Sequence, residues 1–326
     1  MKPRILITRA IFPDVVKKLE QHFEVESNQQ DRIFTSAELL ERLQDKDGVF
    51  ATVGERFSAE VFQSCPKLKA VCNMAVGHNN IDLAAATHAG VMATNTPDVL
   101  NQATADMAWA LLMATARRVT EAEHYLRAGK WDRWSYDAFL GADVHGTTLG
   151  IMGMGRIGQA VARRSMGFDM NVIYHNRSRL PEEKEAQANN ARYVSRDELL
   201  QQADHLVLVL PYSADTHHSI KKRELDLMKP TATLINIARG GIVDDVALID
   251  ALREQRIAAA GLDVFENEPA YHPGFLCLTN VVLTPHIGSA TESSRRGMAN
   301  CAADNLIAAL SGQRPPNLLN TQLLDK

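Results

Sequence analysis

Arg239, Glu268 and His286 lie far apart in the chain, yet each follows closely on a short apolar run, at 233–236, 259–263 and 281–283. A guanidinium is a planar fork that can hold a carboxylate through two parallel hydrogen bonds. Imidazole is the usual proton donor near neutral pH, and a neighbouring carboxylate orients the ring and favours its charged form. Arg239 could therefore bind a small carboxylic acid while His286, steadied by Glu268, protonates an oxygen next to that carboxylate. With a hydride source, this is the equipment for reducing a 2-keto acid. Taken singly, each residue has a plain alternative: a structural ion pair for Arg239, a solvated loop acid for Glu268, a hydrogen-bonded core histidine for His286. Their placement after three successive strand-like runs favours function, because strand ends of an open parallel sheet converge on one crevice.

The hydride source is indicated by Gly153-Met154-Gly155-Arg156-Ile157-Gly158, which follows an apolar run at 148–152 and opens a helical pattern. In this context the three glycines are a dinucleotide fingerprint. Gly153 permits a tight turn, Gly155 lets backbone approach a pyrophosphate, and Gly158 lets helix and strand pack closely, while the helix N-terminus supplies amide donors. Eighteen positions past Gly158, where an NAD-selective site usually has an acid for the ribose 2'-hydroxyl, stands Asn176. Arg177 and Arg179 could instead meet a 2'-phosphate, with Asn176 and Ser178 as neutral donors. The expected cofactor is NADPH, with NADH possible.

These residues need a scaffold that brings strand ends together, and the chain reads as one. Short apolar runs at 5–7, 48–52, 70–72 and 91–93 alternate with helical patterns at 13–22, 36–43 and 58–64. A single long helix is expected over 101–128, where Ala105, Ala108, Trp109, Leu112 and Ala116 recur at helical spacing without Gly or Pro. Further strands are expected at 148–152, 171–174, 191–194, 205–210, 233–236, 259–263 and 281–283. A last helix at 291–310 precedes a tail with Pro315 and Pro316, expected to have little regular structure. The fold class is α/β, with two doubly wound parallel-sheet domains. Residues 1–100 begin a substrate domain, 101–290 form an inserted dinucleotide-binding domain, and 291–326 return to the first.

Composition narrows the partners. The 326 residues, 45% hydrophobic and 23% charged, are ordinary for a globular protein, and a net charge of -4 does not suit a nucleic-acid surface. Cys65, Cys72, Cys277 and Cys301 lack paired metal spacing, so no metal is expected, and they read as reduced thiols of a cytoplasmic protein. No apolar run reaches membrane-spanning length.

Several segments in order resemble the D-isomer-specific 2-hydroxyacid dehydrogenase family: Val76-Gly77 with Asn80-Ile81-Asp82, Thr104-Ala105-Asp106 with Ala116-Arg117-Arg118, the glycine motif, 236–241, Gly261-Leu262-Asp263-Val264-Phe265, and 285–289. Within it, 141–145 and 301–306 most resemble the bacterial glyoxylate/hydroxypyruvate reductases also described as 2-ketogluconate reductases. The resemblance covers nearly the whole chain. It implies a Rossmann-type cofactor domain inserted into a flavodoxin-like substrate domain. It also implies reduction of glyoxylate, hydroxypyruvate or 2-ketogluconate to the D-2-hydroxy acid. Arg239, Glu268 and His286 then match the family's carboxylate-binding arginine, pKa-tuning glutamate and proton donor. The Val76 and Gly77 amides match a loop that closes on the substrate carboxylate. Thr104, Arg156, Ile157, Pro211, Thr216, Ala238, Asp263 and Gly288 match cofactor-lining positions, with Asp263 near the carboxamide. Ala75, His78 and Asn101-Gln102 depart from the frequent pattern. A homodimer is implied, with Trp131 and Trp134 in the interface segment and Trp134 a candidate to reach the partner's pocket. Two other readings fit the same fold, a dehydrogenase of the 3-phosphoglycerate type and a nicotinamide-sensing protein like the family's corepressors.

Overall fold

The computed structural model describes residues 1–324, and the chain divides into two compact units. One comprises Met1–Leu100 with the chain from Thr291 onward, and the other is Asn101–Ala290. In the first, β1 (Arg4–Ile7), β2 (Glu24–Ser27), β3 (Gly48–Ala51), β4 (Ala70–Asn73) and β5 (Met92–Thr94) form a parallel sheet in the order β2-β1-β3-β4-β5. This is the flavodoxin-like order. The sequence reading missed β2, whose Glu-Val-Glu-Ser run has no apolar signal. As an edge strand it pairs, among the described residues, only with β1 and stays partly solvated, its Glu26 facing Lys46 and Arg42. Ile5, Ile7, Phe50 and Cys72 are fully buried on the face that also holds Ala299, Ala302 and Leu306 of the helix Glu292–Leu310. Gly48 makes this packing possible, because a Cβ there would lie 2.9 Å from the methyls of both Leu306 and Leu310.

The tail is more ordered than its prolines suggest. Leu318 bridges Thr94 in antiparallel fashion, Leu319 N–H donates to the Ala93 carbonyl, and the buried Asn320 side chain bonds Ala93 N–H and the Val91 carbonyl. Prolines are tolerated in such a segment because it pairs along one edge only.

The second unit is built on β6 (Thr148–Met152), β7 (Asn171–His175), β8 (Arg192–Tyr193), β9 (His205–Leu208), β10 (Thr233–Asn236), β11 (Ala259–Leu262) and β12 (Val281–Leu283), in the order β12-β11-β10-β9-β6-β7-β8. All pairs are parallel, and β9, β10 and β11 are buried along their whole length, as two covered faces require. Strand order reverses across the parallel β6–β9 pair, so the loops after these strands flank the sheet's switch point.

The long helix expected over 101–128 is broken. Helix Asn101–Ala116 ends, Arg118 takes a left-handed conformation with φ 53°, and a second helix runs Val119–Arg127. The cause is remote in sequence. Ala142 N–H donates to the Ala116 carbonyl at 2.8 Å, and Gly141 sits so close that a Cβ would lie 2.3 Å from the same oxygen. The carbonyl that would continue the helix is already taken, and Arg118 is held in its turn by Glu121.

His205, at the start of β9, is fully inside this unit and gives a testable pH effect. Its Nε2 donates to the Asp143 carbonyl at 3.0 Å, so in the neutral ring Nδ1 accepts from Thr233 Oγ1 at 2.8 Å. Burial pulls its pKa below the ordinary 6.5, with the Asp143 carbonyl opposing. Below pH 6.5 the unfolded chain therefore binds a proton that the folded one resists, so stability falls as the pH drops through that value. His205→Gln should flatten the decline of melting temperature between neutral and mildly acidic pH. An unaltered pH profile in thermal scans would show that another group is responsible.

Candidate active site

Because β10, β11 and β12 are adjacent and parallel, the loops after them leave the same edge of the sheet. Arg239, Glu268 and His286 sit in those three loops. Asn236 at the end of β10 shapes the first, its Oδ1 accepting from Ala238 N–H at 3.1 Å and its Nδ2 donating to the Arg239 carbonyl at 3.2 Å. Arg239 is half-buried and donates from Nη1 to the Ala238 carbonyl at 2.7 Å. Gly240 follows because nothing larger fits: a Cβ would lie 1.7 Å from the Phe265 carbonyl. The arginine turn is thus pressed onto the loop that carries Glu268.

Glu268 bridges backbone and imidazole. Its Oε1 accepts from Phe265 N–H at 2.9 Å and its Oε2 lies 2.6 Å from His286 Nδ1. A carboxylate accepts, so Nδ1 carries a proton and Nε2 is the nitrogen left for exchange with a ligand. Burial raises the Glu268 carboxyl, but the His286 contact, the Phe265 N–H and the Arg239 charge outweigh it and hold the group below its ordinary 4.5. Burial likewise lowers the Arg239 guanidinium, and the Glu268 charge opposes that fall. The three groups are therefore one electrostatic unit of two cations around a carboxylate when His286 is protonated.

His286 adopts φ 52°, a left-handed conformation uncommon for a histidine. Asp263 holds it there. Its Oδ1 accepts from Thr284 Oγ1 at 2.7 Å and Ile287 N–H at 2.8 Å, its Oδ2 from Gly288 N–H at 2.7 Å, and its carbonyl from His286 N–H at 3.0 Å. Gly288 is buried here, where a Cβ would come 3.0 Å from Asp263 Oδ2 and 3.6 Å from the Thr104 methyl. The sequence reading assigned Asp263 to the cofactor and missed its grip on this turn, as it missed Asn236. The signal was available only as a polar residue ending each of two otherwise apolar strands.

The glycine motif fits a dinucleotide. Gly153 has φ 101° and lies against the chain after β9, where a Cβ would fall 2.7 Å from Leu210 N, and a Cβ on Gly158 would fall 2.3 Å from the Gly153 carbonyl. Gly155 differs. Among the described residues, no heavy atom beyond its own chain neighbours lies within 4 Å of its Cβ position, and it caps the helix Arg156–Arg164 with Arg156 exposed and Ile157 half-exposed. The turn is thus closed on its protein side and open where a pyrophosphate would approach. Asn176 Oδ1 accepts from Met154 N–H at 3.0 Å, which leaves the Asn176 amide nitrogen as a donor beside the motif. Arg177 and Ser178 are exposed. Arg179 is not open in the way the sequence suggested: it is paired with Glu185 through two bonds of 2.9 and 2.7 Å, and Tyr174 binds the same carboxylate. Pro211 and Thr216 are tied together, the Thr216 hydroxyl donating to the Pro211 carbonyl at 2.9 Å, and Ala238 is buried.

In the other unit, Val76 and Gly77 form a turn framed by asparagines. Asn95 Nδ2 donates to the Val76 carbonyl at 2.8 Å and Asn73 Nδ2 to the Gly77 carbonyl at 2.9 Å. Among the described residues, the N–H groups of Val76 and Gly77 have no protein acceptor.

Comparison with known proteins agrees with this geometry. Residues 109–288 match the model of the D-isomer specific 2-hydroxyacid dehydrogenase NAD binding domain. The chain is 52% identical over 330 aligned positions to a glyoxylate reductase of Thermococcus onnurineus, covering 100% of this chain and 98% of the relative. A glyoxylate reductase structure from Paecilomyes thermophila superposes with a TM-score of 0.89 at 34% identity, covering 98% of this chain and 99% of that one. The NADPH-dependent glyoxylate/hydroxypyruvate reductase of Sinorhizobium meliloti, solved with NADP and malonate, gives a TM-score of 0.87 at 33% identity, covering 98% and 97%.

Proposed function

Because the chain belongs to the D-isomer-specific 2-hydroxyacid dehydrogenase family, we propose that it reduces glyoxylate, hydroxypyruvate and 2-ketogluconate to D-2-hydroxy acids, preferring NADPH, with His286 as proton donor. It is an NAD(P)-dependent oxidoreductase of small 2-keto acids. The observation that carries the finer reading is the 2.6 Å contact between His286 and Glu268, beside the half-buried Arg239.

The dinucleotide, when bound, supplies the hydride. Residues fitted to hold it are Gly153, Gly155, Arg156, Ile157 and Gly158 of the motif, Asn176, Arg177 and Ser178 at the ribose end, and Thr104, Pro211, Thr216, Ala238, Asp263 and Gly288 along the strand ends. Arg239 binds the substrate carboxylate by its fork, which fixes the adjacent keto group in one orientation. His286 Nε2 gives its proton to the keto oxygen as negative charge builds there, while Glu268 stabilises the imidazolium before transfer and keeps the ring aligned. Val76 and Gly77 offer two unshared amide donors of the kind that bind a carboxylate.

The NADPH preference rests on the missing acid at Asn176 and on exposed Arg177 and Ser178, since Arg179 is already paired with Glu185. NADPH and NADH consumption with each of the three keto acids tests both the activity and the preference. Asn176→Asp keeps an acceptor for Met154 N–H but adds a charge that repels a 2'-phosphate, so the NADPH-to-NADH ratio of kcat/KM should fall about 10- to 100-fold. A wild-type enzyme that works better with NADH, or an Asp variant with an unchanged ratio, would remove the preference. No oxidation with any keto acid would return the 3-phosphoglycerate-type and sensor readings.

A homodimer is part of the same proposal. The segment after Val119–Arg127 exposes Trp131 at 60%, Trp134 at 79%, Tyr136 at 80% and Leu140 at 66%, more apolar surface than one short stretch of a monomer usually leaves in water. A second copy is the occupant we assign to this face, with Trp134 bordering the partner's pocket.

A further inference from the structure

We propose that His217, His218 and Glu266 form a binding site for a zinc-type divalent ion, apart from the reducing centre but in the same unit. One nitrogen from each histidine and one Glu266 oxygen lie within 4.8 Å of one another. In a tetrahedral zinc site, bonds of about 2.0–2.2 Å put ligand atoms about 3.4 Å apart, so modest side-chain rotation would close the cluster. Two nitrogens and one carboxylate oxygen are a donor set that zinc accepts, with water completing the shell.

The backbone goes out of its way to assemble these groups. His217 and His218 lie in the turn 214–218, which brings their rings together in a stack at 3.9 Å and 22°. A left-handed conformation at His218, φ 46°, accompanies this arrangement, and the turn is secured by His217 N–H on the Ser213 carbonyl and His218 N–H on the Gly241 carbonyl. Glu266 comes from the loop after β11 and meets His218 Nε2 directly. A Cβ at Gly241 would lie 3.0 Å from Tyr212 Cε2, 3.4 Å from His217 Nδ1 and 3.7 Å from Glu266 Oε1, so a side chain there would crowd the cluster and the tyrosine packed on it.

An ion pair between His218 and Glu266 and a 3.1 Å hydrogen bond between the Tyr212 hydroxyl and His217 Nδ1 hold the three groups together, and His217 Nε2 is the nitrogen of that ring left to meet an ion. Two stacked rings repel if both are protonated, whereas a bound cation uses both in their neutral form. Asp244, whose Oδ2 is 3.9 Å from His218 Nδ1, adds negative charge on the far side of that ring. The ion would tie the loop after β9 to the loop after β11, and so stiffen the chain just beyond Arg239 and just before Glu268.

The full-length protein, stripped with chelator and titrated with zinc chloride at neutral pH, should bind one equivalent in the micromolar range or tighter and melt at a higher temperature. His217→Ala and Glu266→Gln should each weaken uptake more than about tenfold, while His124→Ala, on the exposed helix Val119–Arg127, leaves it unchanged. Cobalt in place of zinc should give visible absorption bands that His217→Ala abolishes. His217 is exposed, so that variant keeps the test open even if Glu266→Gln does not fold. Absence of uptake by the wild type, or uptake and cobalt bands unchanged in His217→Ala, would overturn the site.

Discussion

His286→Asn should lower the turnover of keto-acid reduction by a factor of about 100 to 10,000, the usual worth of a positioned general acid. Asparagine is the informative replacement because it tolerates the left-handed backbone that His286 adopts at φ 52°, so the Asp263-held turn can persist without the imidazole. The loss should fall on kcat, since the proton is needed as charge develops on oxygen, and dinucleotide affinity measured by cofactor fluorescence should stay within about twofold of wild type. Stability should drop modestly as well, because Glu268 loses the contact that most strongly opposes the effect of its burial. Steady-state kinetics with NADPH and glyoxylate beside a thermal scan separate the two effects. Wild-type turnover in a folded variant would remove His286 from the mechanism.

Arg239→Ala should be comparably severe but distributed differently. Two charge-assisted hydrogen bonds to a carboxylate are worth about 3–6 kcal/mol together, so kcat/KM should fall by roughly 100- to 10,000-fold, much of it through weaker keto-acid binding. The true loss has a second part. With the guanidinium gone, the uncompensated Glu268 carboxylate repels an incoming carboxylate, which Arg239 otherwise screens. Arg239→Lys restores the charge but not the fork, and should recover only part of the activity. Kinetics with glyoxylate and with an uncharged aldehyde of similar size provide the check: the aldehyde should be nearly indifferent to the substitution. Equal losses on both substrates would mean that Arg239 supports the fold of the turn and not the carboxylate.

Local sequence was enough for the features that depend on repeating burial. Parallel strands covered on both faces must be continuously apolar, so β3, β4, β6, β9 and β10 stand out from their neighbours without knowledge of their partners. The glycine motif is equally local, because the clash of a Cβ at Gly158 with the Gly153 carbonyl arises within one turn of chain. Placing Arg239, Glu268 and His286 after successive strands followed from the same regularity. The polar edge strand β2 lay beyond this reasoning, since its only requirement is a neighbour that supplies hydrogen bonds.

Tertiary contacts decided what residue type leaves open. The chemistry of Arg179 is that of a cation available to phosphate until the fold gives it Glu185. The helix beginning at Asn101 has every local reason to continue, and stops because Ala142 and Gly141 arrive at the Ala116 carbonyl from 25 residues beyond. Asp263 reads as a lone acid after a strand, and becomes the clamp of the histidine turn only when β11 and β12 lie side by side. Residue type and period fix which groups a chain possesses and where its strands can form, because those depend on neighbours in sequence. Which donor meets which acceptor is settled when distant segments compete for the same buried polar atoms, and that competition exists only in the folded molecule.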